Sequence, residues 1–162
     1  MSDDPRLDRE TKLVPGNAVA ALILVEGRYL LQLRDDKKGI FFPGAWGCFG
    51  GGCEAGETCE AALARELHEE LALSVDAGSL RYFSRFDFDL GFAGLPPIWR
   101  YFYELDLPPA ALENIRLGEG ADLRAFPADD IVANRVEVTP YDGFALWLHI
   151  NSRRLVRPPT SS

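Results

Sequence analysis

Hydrophobic and polar positions follow the period of a β-strand along much of this chain. Segments 17–25 and 29–34 are rich in aliphatic residues, and the turn at 26–28 separates them. Further on, 80–90 and 98–106 place apolar and polar side chains at alternate positions on either side of a turn that contains glycine and proline. These patterns predict two pairs of neighbouring strands, the second of them a hairpin.

Two longer segments indicate helices. The first follows Thr58, which can cap its start, and its apolar residues recur at helical spacing. They are Ala61, Ala64, Leu67 and Leu71. The second begins at Pro140, with Asp142 in its first turn, and runs to about residue 152. A short strand at 121–126 and a short helix at 128–133 complete the order, so the sequence predicts an α/β fold with a sheet between helices.

Length and charge limit the class of protein. The chain has 162 residues, of which 47% are hydrophobic, which suits one domain with a sizeable core. We expect that domain at 13–156, with disordered tails at 1–12 and 157–162. The net charge of −8 disfavours polymeric nucleic acid as a partner. With neither a secretory leader nor an apolar run that could cross a membrane, the chain is expected in the cytoplasm.

The cysteines and histidines predict no second site. Cys48, Cys53 and Cys59 are odd in number and lie close in sequence, which argues against a disulfide framework. Zinc ligation by these thiols with His68 lacks the usual C-x-x-C spacing, so packing roles are favoured. His149 lies in the last predicted helix, where a surface position or a satisfied hydrogen-bonding residue is expected.

The most informative feature is a group of acids in the first helix. Glu66, Glu69 and Glu70 fall at i, i+3 and i+4, so a helix brings their carboxylates close together on one face, which we expect to lie opposite the core. A hard divalent cation is the simplest partner for such a cluster. The alternative is a charged face exposed to solvent. That alternative explains neither the Gly50-Gly51-Gly52 run upstream nor Glu57 at its fixed distance.

Written out, the motif runs from Gly51 through Glu57 to Arg65-Glu66-Leu67-His68-Glu69-Glu70-Leu71-Ala72-Leu73. It resembles the signature of the Nudix (MutT-like) hydrolases, G-x5-E-x7-R-E-U-x-E-E-x-G-U, where U is apolar. Ala72 replaces the last glycine, which implies a slightly different end to the helix. Phe49 stands where many members have proline. The resemblance implies a single-domain α/β/α sandwich around a mixed sheet.

The resemblance also implies roles for individual residues. Glu66, Glu69 and Glu70 would hold Mg²⁺, or alternatively Mn²⁺, together with the carbonyl of Gly50. Arg65 would orient these acids with the help of Glu57, while Gly51 and Glu54 belong to the supporting loop. Such a site hydrolyses phosphoanhydride bonds. Glu69 and Glu119 are both candidates for the general base.

Substrate contacts are less clearly marked in the sequence. Arg34, at the end of a predicted strand, and Arg100, in the aromatic strand, are candidates for phosphate binding. Four aromatic residues could stack on a base, although packing in the core or at a dimer interface is the commoner use of such residues. They are Trp46, Phe49, Trp99 and Tyr101. A homodimer contact is expected along 99–105.

The sequence thus predicts a Mg²⁺-dependent enzyme that cleaves a nucleoside diphosphate linked to another group, in a nucleoside triphosphate, ADP-ribose or a nucleotide sugar. A catalytically silent nucleotide-binding module on the same fold is the alternative. An isomerase on this fold is a third option, for which Cys48 is the nearby thiol.

Overall fold

The structure, a computed structural model, describes residues 16–155. The terminal tails predicted at 1–12 and 157–162 lie outside this range. One mixed sheet forms the centre of the described domain, and helices cover both of its faces. Its seven strands are β1 (Ala18–Val25), β2 (Arg28–Leu33), β3 (Trp46–Gly47), β4 (Phe49–Gly52), β5 (Arg81–Phe88), β6 (Ile98–Leu107) and β7 (Asp122–Phe126).

Strand β1 is the central element of the sheet. It runs parallel to β6 over its whole length, and β6 in turn pairs antiparallel with β5. On the other edge of β1, its second half pairs with β2 and its first half with β4, both antiparallel. Strand β2 also pairs with β3 and β7. The glycine-rich strand β4 therefore lies beside the most buried strand of the domain.

The helices are α1 (Cys59–Leu71), α2 (Ala128–Val132) and α3 (Pro140–Leu155). Helix α1 packs Leu63, Leu67 and Leu71 on one face of the sheet. Helices α2 and α3 cover the other face, where the core residues include Leu146 and Ile150. This arrangement confirms the predicted α/β/α sandwich. No helix within residues 16–155 has the length and apolar character that a membrane span requires.

The buried face of α1 differs from the prediction. Ala62 and Leu63 are fully buried, whereas Ala61 is exposed and Ala64 only half-buried. Glu70 is also buried, because seven residues make almost two full helical turns and return it to nearly the direction of Leu63. The expectation that all three acids lie opposite the core was therefore wrong.

Two further local predictions change, and for His149 the structure selects the satisfied hydrogen-bonding residue of the two predicted alternatives. The glycine run is a strand, β4, because Ala18 to Ala21 of β1 pair with it. Ala72 adopts the left-handed conformation, with φ 53°, so the helix ends as it would with glycine. His149 is buried and hydrogen-bonded to Tyr29, which excludes the surface position.

The predicted hairpin is confirmed as β5 and β6, although the turn between them contains a short 3-10 helix, Gly91–Ala93. Both edges of β6 are occupied by strands of the same chain. Segment 99–105 consequently has no free edge for pairing with a second copy, and the homodimer remains a prediction.

Candidate active site

The acidic helix and the glycine-rich strand meet at Glu70 and Gly50. The Gly50 amide donates a hydrogen bond of 2.9 Å to Oε2 of Glu70, and the side-chain amide of Gln32 lies 3.5 Å from Oε1. Glu70 is only 5% exposed. Burial raises the pKa of this carboxyl to about 7, and the nearby charges of Glu66 and Glu119 act in the same direction. Within residues 16–155, no basic side chain forms an ion pair with Glu70 within 4.0 Å.

The glycines of β4 fit this strand closely between β1 and the acidic helix. Gly50 has φ +148°, and a Cβ there would lie 2.1 Å from the carbonyl oxygen of Val19. A Cβ on Gly51 would lie 2.5 Å from the carboxyl carbon of Glu66. The strand therefore accepts the side chain of Glu66 because Gly51 carries none, and it pairs closely with β1 because Gly50 carries none.

Arg65 connects the acids to the loop before the helix. Its Nε and Nη2 donate to the two oxygens of Glu57 at 2.8 and 3.1 Å, and Nη2 also donates to the carbonyl of Gly52 at 3.1 Å. Its Nη1 lies 2.9 Å from Glu66 and 3.5 Å from Glu69. These bonds to Arg65 lower the pKa of Glu57 to about 2. The predicted orienting role of Arg65 thus has a matching geometry.

The acids differ in their surroundings. Glu66 is partly buried against β4, whereas the Glu69 side chain is 58% exposed and contacts Arg65 at the edge of the cluster. The Glu54 side chain is exposed, and its backbone amide donates to Glu57. The structure therefore brings Glu66 and Glu70 to the strand and leaves Glu69 at the rim. Within residues 16–155, no three His, Cys, Asp or Glu side chains converge as a preformed ion cage.

Glu119 reaches the site through a loop that is tied to the end of α1. The amide of Gly118 donates to the carbonyl of Glu70 at 2.7 Å, and a Cβ on Gly118 would lie 2.4 Å from the carbonyl oxygen of Glu69. This close backbone contact places Glu119 at the edge of the cleft that Glu70 also lines. The sequence showed the Gly-Glu-Gly loop but gave no signal of this contact.

A cleft of ≈ 430 Å³ opens beside β4 and contains both predicted phosphate-binding residues, Arg34 and Arg100. Arg34 Nε donates to the carbonyl of Phe41 at 2.8 Å, and burial lowers the pKa of its guanidinium. Arg100 forms an ion pair of 3.1 Å with Asp142 of α3. The two cations thus lie in the same cleft as Glu70, although they are 66 residues apart in sequence.

Sequence reasoning missed several lining residues. Asp142, assigned there only to a helix start, is 3% exposed and accepts hydrogen bonds in the cleft wall. The aromatic lining comes from Phe41, Phe42 and Tyr141. Of the four aromatic residues that the sequence offered for stacking on a base, Phe49 is instead fully buried in the core. Phe41 and Phe42 lie in a loop without a periodic pattern, and Tyr141 comes from the distant helix α3, so only the tertiary structure identifies this wall.

The fold and the site together define a class of protein: an α/β/α domain whose acidic helix lies against a glycine-rich strand, at a cleft that contains two arginines. Comparison with known families identifies the particular family within this class. The NUDIX domain model matches residues 14–147, and the chain belongs to this family.

Individual relatives agree with this assignment. The nucleoside triphosphatase NudI of Escherichia coli O139:H28 is 51% identical over 53 residues, which are 33% of this chain and 37% of NudI. The aligned part of the chain thus spans little more than a third of that relative's length.

Two solved structures resemble nearly the whole chain. The MutT NUDIX hydrolase of Burkholderia pseudomallei has a TM-score of 0.66 at 25% identity and covers 82% of this chain and 95% of its own. The NUDIX domain of Shewanella oneidensis NrtR, solved with ADP ribose, has a TM-score of 0.65 at 17% identity and covers 96% of this chain and 100% of its own. The second likeness concerns the fold alone.

Proposed function

We propose that this protein is a Mg²⁺-dependent hydrolase that cleaves a phosphoanhydride bond in a nucleoside diphosphate linked to another group. The observation that carries the proposal is the meeting of Glu66 and Glu70 with the glycine-rich strand, at a cleft that also contains Arg34 and Arg100. Acids at one part of a cleft and cations at another suit a substrate whose phosphates bind metal and arginine together.

The donor set fits a hard divalent ion. Glu70 is buried with its pKa raised to about 7, so a nearby cation would stabilise its ionised form. Glu66, Glu69, Glu70 and the Gly50 carbonyl are the proposed ligands, and Mn²⁺ is the alternative ion. The ion would neutralise phosphate oxygens and activate water.

The remaining residues would either orient the metal-binding carboxylates or accept the proton of the attacking water. Arg65, held by Glu57, fixes the directions of the Glu66 and Glu69 carboxylates. A carboxylate takes the proton of the attacking water as the new P–O bond forms and the anhydride P–O bond breaks. Glu69 and Glu119 are the candidates for this base. Both lie near the site and neither is buried as Glu70 is.

The substrate is most simply a nucleoside triphosphate. NudI is named a nucleoside triphosphatase, and its matched segment is 51% identical to this chain. The cleft has the size of a small-ligand pocket, and the aromatic wall of Phe41, Phe42 and Tyr141 suits a base. ADP-ribose and nucleotide sugars share the required diphosphate and are the next compounds to test. A soluble, cytoplasmic enzyme without nucleic-acid or membrane partners is part of the same proposal.

The second candidate is a binding module without turnover. The NrtR domain, whose fold is similar, was solved with ADP ribose, so a domain of this fold binds a nucleotide. For this chain, the complete set of acids and their arginine favours hydrolysis, because closely spaced carboxylates repel each other and a silent protein has no need of them.

The deciding experiment measures turnover and binding on the same purified protein. Nucleoside triphosphates, ADP-ribose and nucleotide sugars are supplied with Mg²⁺, with Mn²⁺, or with a chelator, and released phosphate, pyrophosphate and monophosphate are quantified. Glu66→Gln and Glu69→Gln test the cluster, and Glu113→Gln, at an exposed acid outside it, is the matched control.

Metal-dependent release that falls by orders of magnitude in Glu66→Gln but not in Glu113→Gln would support the hydrolase. Nucleotide binding without release under any condition would overturn it in favour of the binding module. Comparison of the pH profiles of Glu69→Gln and Glu119→Gln identifies the base, since only its loss removes the acidic limb of the rate profile.

A further inference from the structure

Asp142, a carboxylate in the cleft wall, is held by several hydrogen bonds and an ion pair. Its Oδ2 accepts a hydrogen bond of 2.9 Å from the amide of Cys48 and another of 2.9 Å from the hydroxyl of Thr139. Its Oδ1 accepts a hydrogen bond of 3.2 Å from Nε of Arg100 and lies 3.1 Å from Nη2 in the same ion pair. With 3% of its surface exposed, Asp142 has both oxygens engaged by the protein. It is therefore poorly placed to bind a ligand itself.

Asp142 holds one edge of the Arg100 guanidinium, and the ring of Phe102 lies beneath it. The guanidinium carbon is 5.6 Å from the centre of that ring. A guanidinium has five N–H groups, and the two nitrogens bound to Asp142 leave Nη1 for other partners. Arg100 lines the cleft with its side chain 20% exposed. The cation is thus oriented before any ligand arrives.

The second cation in the cleft wall, Arg34, has in the described part of the chain no carboxylate partner of the kind that Asp142 provides for Arg100. Arg34 is half-buried, and the charges of Asp142, Arg100, Glu70 and Asp35 all lie near enough to affect the pKa of its guanidinium. No carboxylate of the described residues forms an ion pair with Arg34 within 4.0 Å, and its Nε is held by the Phe41 carbonyl. Asp35, Glu70 and Glu119 also line the cleft, but among the described residues Asp142 forms its ion pair with Arg100 and not with Arg34. A phosphate bound beside Arg34 would therefore meet a guanidinium that has no ion-pair partner within residues 16–155.

We propose that Asp142 is a positioning residue that holds Arg100 beside Arg34, so that the two arginines bind a phosphate of the substrate. This inference rests on the proposed function for its substrate class. It adds a role for Asp142 and identifies the part of the substrate, a phosphate, that the two arginines bind. Asp142 acts through Arg100 and touches no substrate atom. Gly47 is needed for the arrangement, because a Cβ there would lie 2.9 Å from Oδ2 of Asp142.

The test compares two probes, inorganic pyrophosphate and a nucleoside without phosphate. Affinity for each is measured by calorimetry, and as competitive inhibition where turnover exists. Asp142→Asn should weaken pyrophosphate binding about tenfold or more, because a misplaced guanidinium forfeits a charge-assisted contact, and nucleoside affinity should stay within about twofold. In turnover, KM for the substrate should rise more than kcat falls.

A positioning role also predicts non-additivity. Once Arg100→Gln has removed the cation, adding Asp142→Asn should change pyrophosphate affinity by less than about twofold further, whereas independent structural damage would multiply the two losses. Arg100→Lys should bind pyrophosphate more weakly than the wild type, because lysine cannot make the paired contact with Asp142. Arg85→Gln, at an exposed arginine paired with Asp87, is the matched control.

Asp142→Asn removes a buried charge, so each variant is first checked by thermal unfolding. If it does not fold, Thr139→Val, which removes one hydrogen bond to Asp142, provides a milder version of the same test. Loss of nucleoside binding with pyrophosphate affinity unchanged would overturn the inference, and so would additive losses in the double variant. Because pyrophosphate binding is read without turnover, a protein that fails to hydrolyse nucleotides still decides this question.

Discussion

The amide of Gly50 donates a 2.9 Å hydrogen bond to Oε2 of Glu70, and this bond joins the glycine-rich strand to the acidic helix. The strand supplies a backbone donor, while the helix supplies a carboxylate that burial drives towards its protonated form. Each residue therefore depends on the other for its place in the site, and both can be tested separately.

Replacing Gly50 with alanine should destabilise the fold. The new Cβ would lie 2.1 Å from the Val19 carbonyl oxygen, at a backbone conformation, φ +148°, that alanine rarely adopts. We expect a loss of roughly 2–5 kcal/mol in the free energy of unfolding, measured by urea denaturation. Gly143→Ala in α3 is the control, because its Cβ meets only ordinary contacts and should stabilise by roughly 0.5–1 kcal/mol. Equal stability of both variants would contradict the strain at Gly50.

Divalent metal should stabilise the protein through Glu70. An ion that binds only the native state at a hundredfold excess over its Kd adds about 2.7 kcal/mol, or roughly 5–10 °C in Tm. We expect this shift with Mg²⁺ in the wild type and in Glu113→Gln, and its loss in Glu70→Gln. Scanning calorimetry with Mg²⁺ or with a chelator measures it. A full shift in Glu70→Gln would remove Glu70 from the ligand set.

The bond between Glu57 and Arg65 should matter to activity although Glu57 is not a proposed ligand. Glu57→Gln loses the charge that holds Nε and Nη2 of Arg65, so the carboxylates of Glu66 and Glu69 lose their fixed directions. Losses of such supporting residues typically cost roughly 10 to 100-fold. Steady-state kinetics across Mg²⁺ concentrations should show that kcat/KM falls by this amount. An unchanged kcat/KM would show that Arg65 needs no help from Glu57.

Buried His149 should make stability depend on pH. Burial lowers its pKa below the usual value, partly opposed by Glu104 and reinforced by Arg153. The unfolded chain therefore takes up this proton first as pH falls through about 6.5, and the contribution of the neutral ring to stability is lost below that pH. The raised pKa of Glu70 acts in the opposite direction over the same range, so the test is the difference between variants. From about pH 7 to about pH 5 the urea midpoint of the wild type should fall relative to that of His149→Gln. The exposed His68→Gln should keep the wild-type slope.

Local patterns were sufficient for most of the fold. Strands 17–25 and 29–34 were predicted from their aliphatic residues and the turn between them, and the hairpin at 80–106 from alternation, which reports one buried side of a strand. Strands β1, β2, β5 and β6 confirm them within a few residues. The glycine run could not be assigned as a strand from its own composition, since glycine disfavours strands. Its pairing with β1 is a long-range contact that residues 49–52 do not encode alone.

The same division applies to the site. The sequence by itself determined the acids of α1, their arginine and the family, because their spacing lies within a single loop and helix of 23 residues. Only the tertiary structure decided that Glu70 is buried while Glu69 is exposed, because that depends on which side of α1 faces the sheet. It alone also placed Asp142 against Arg100, since burial in a shared cleft brings together residues from two distant elements that no sequence period relates.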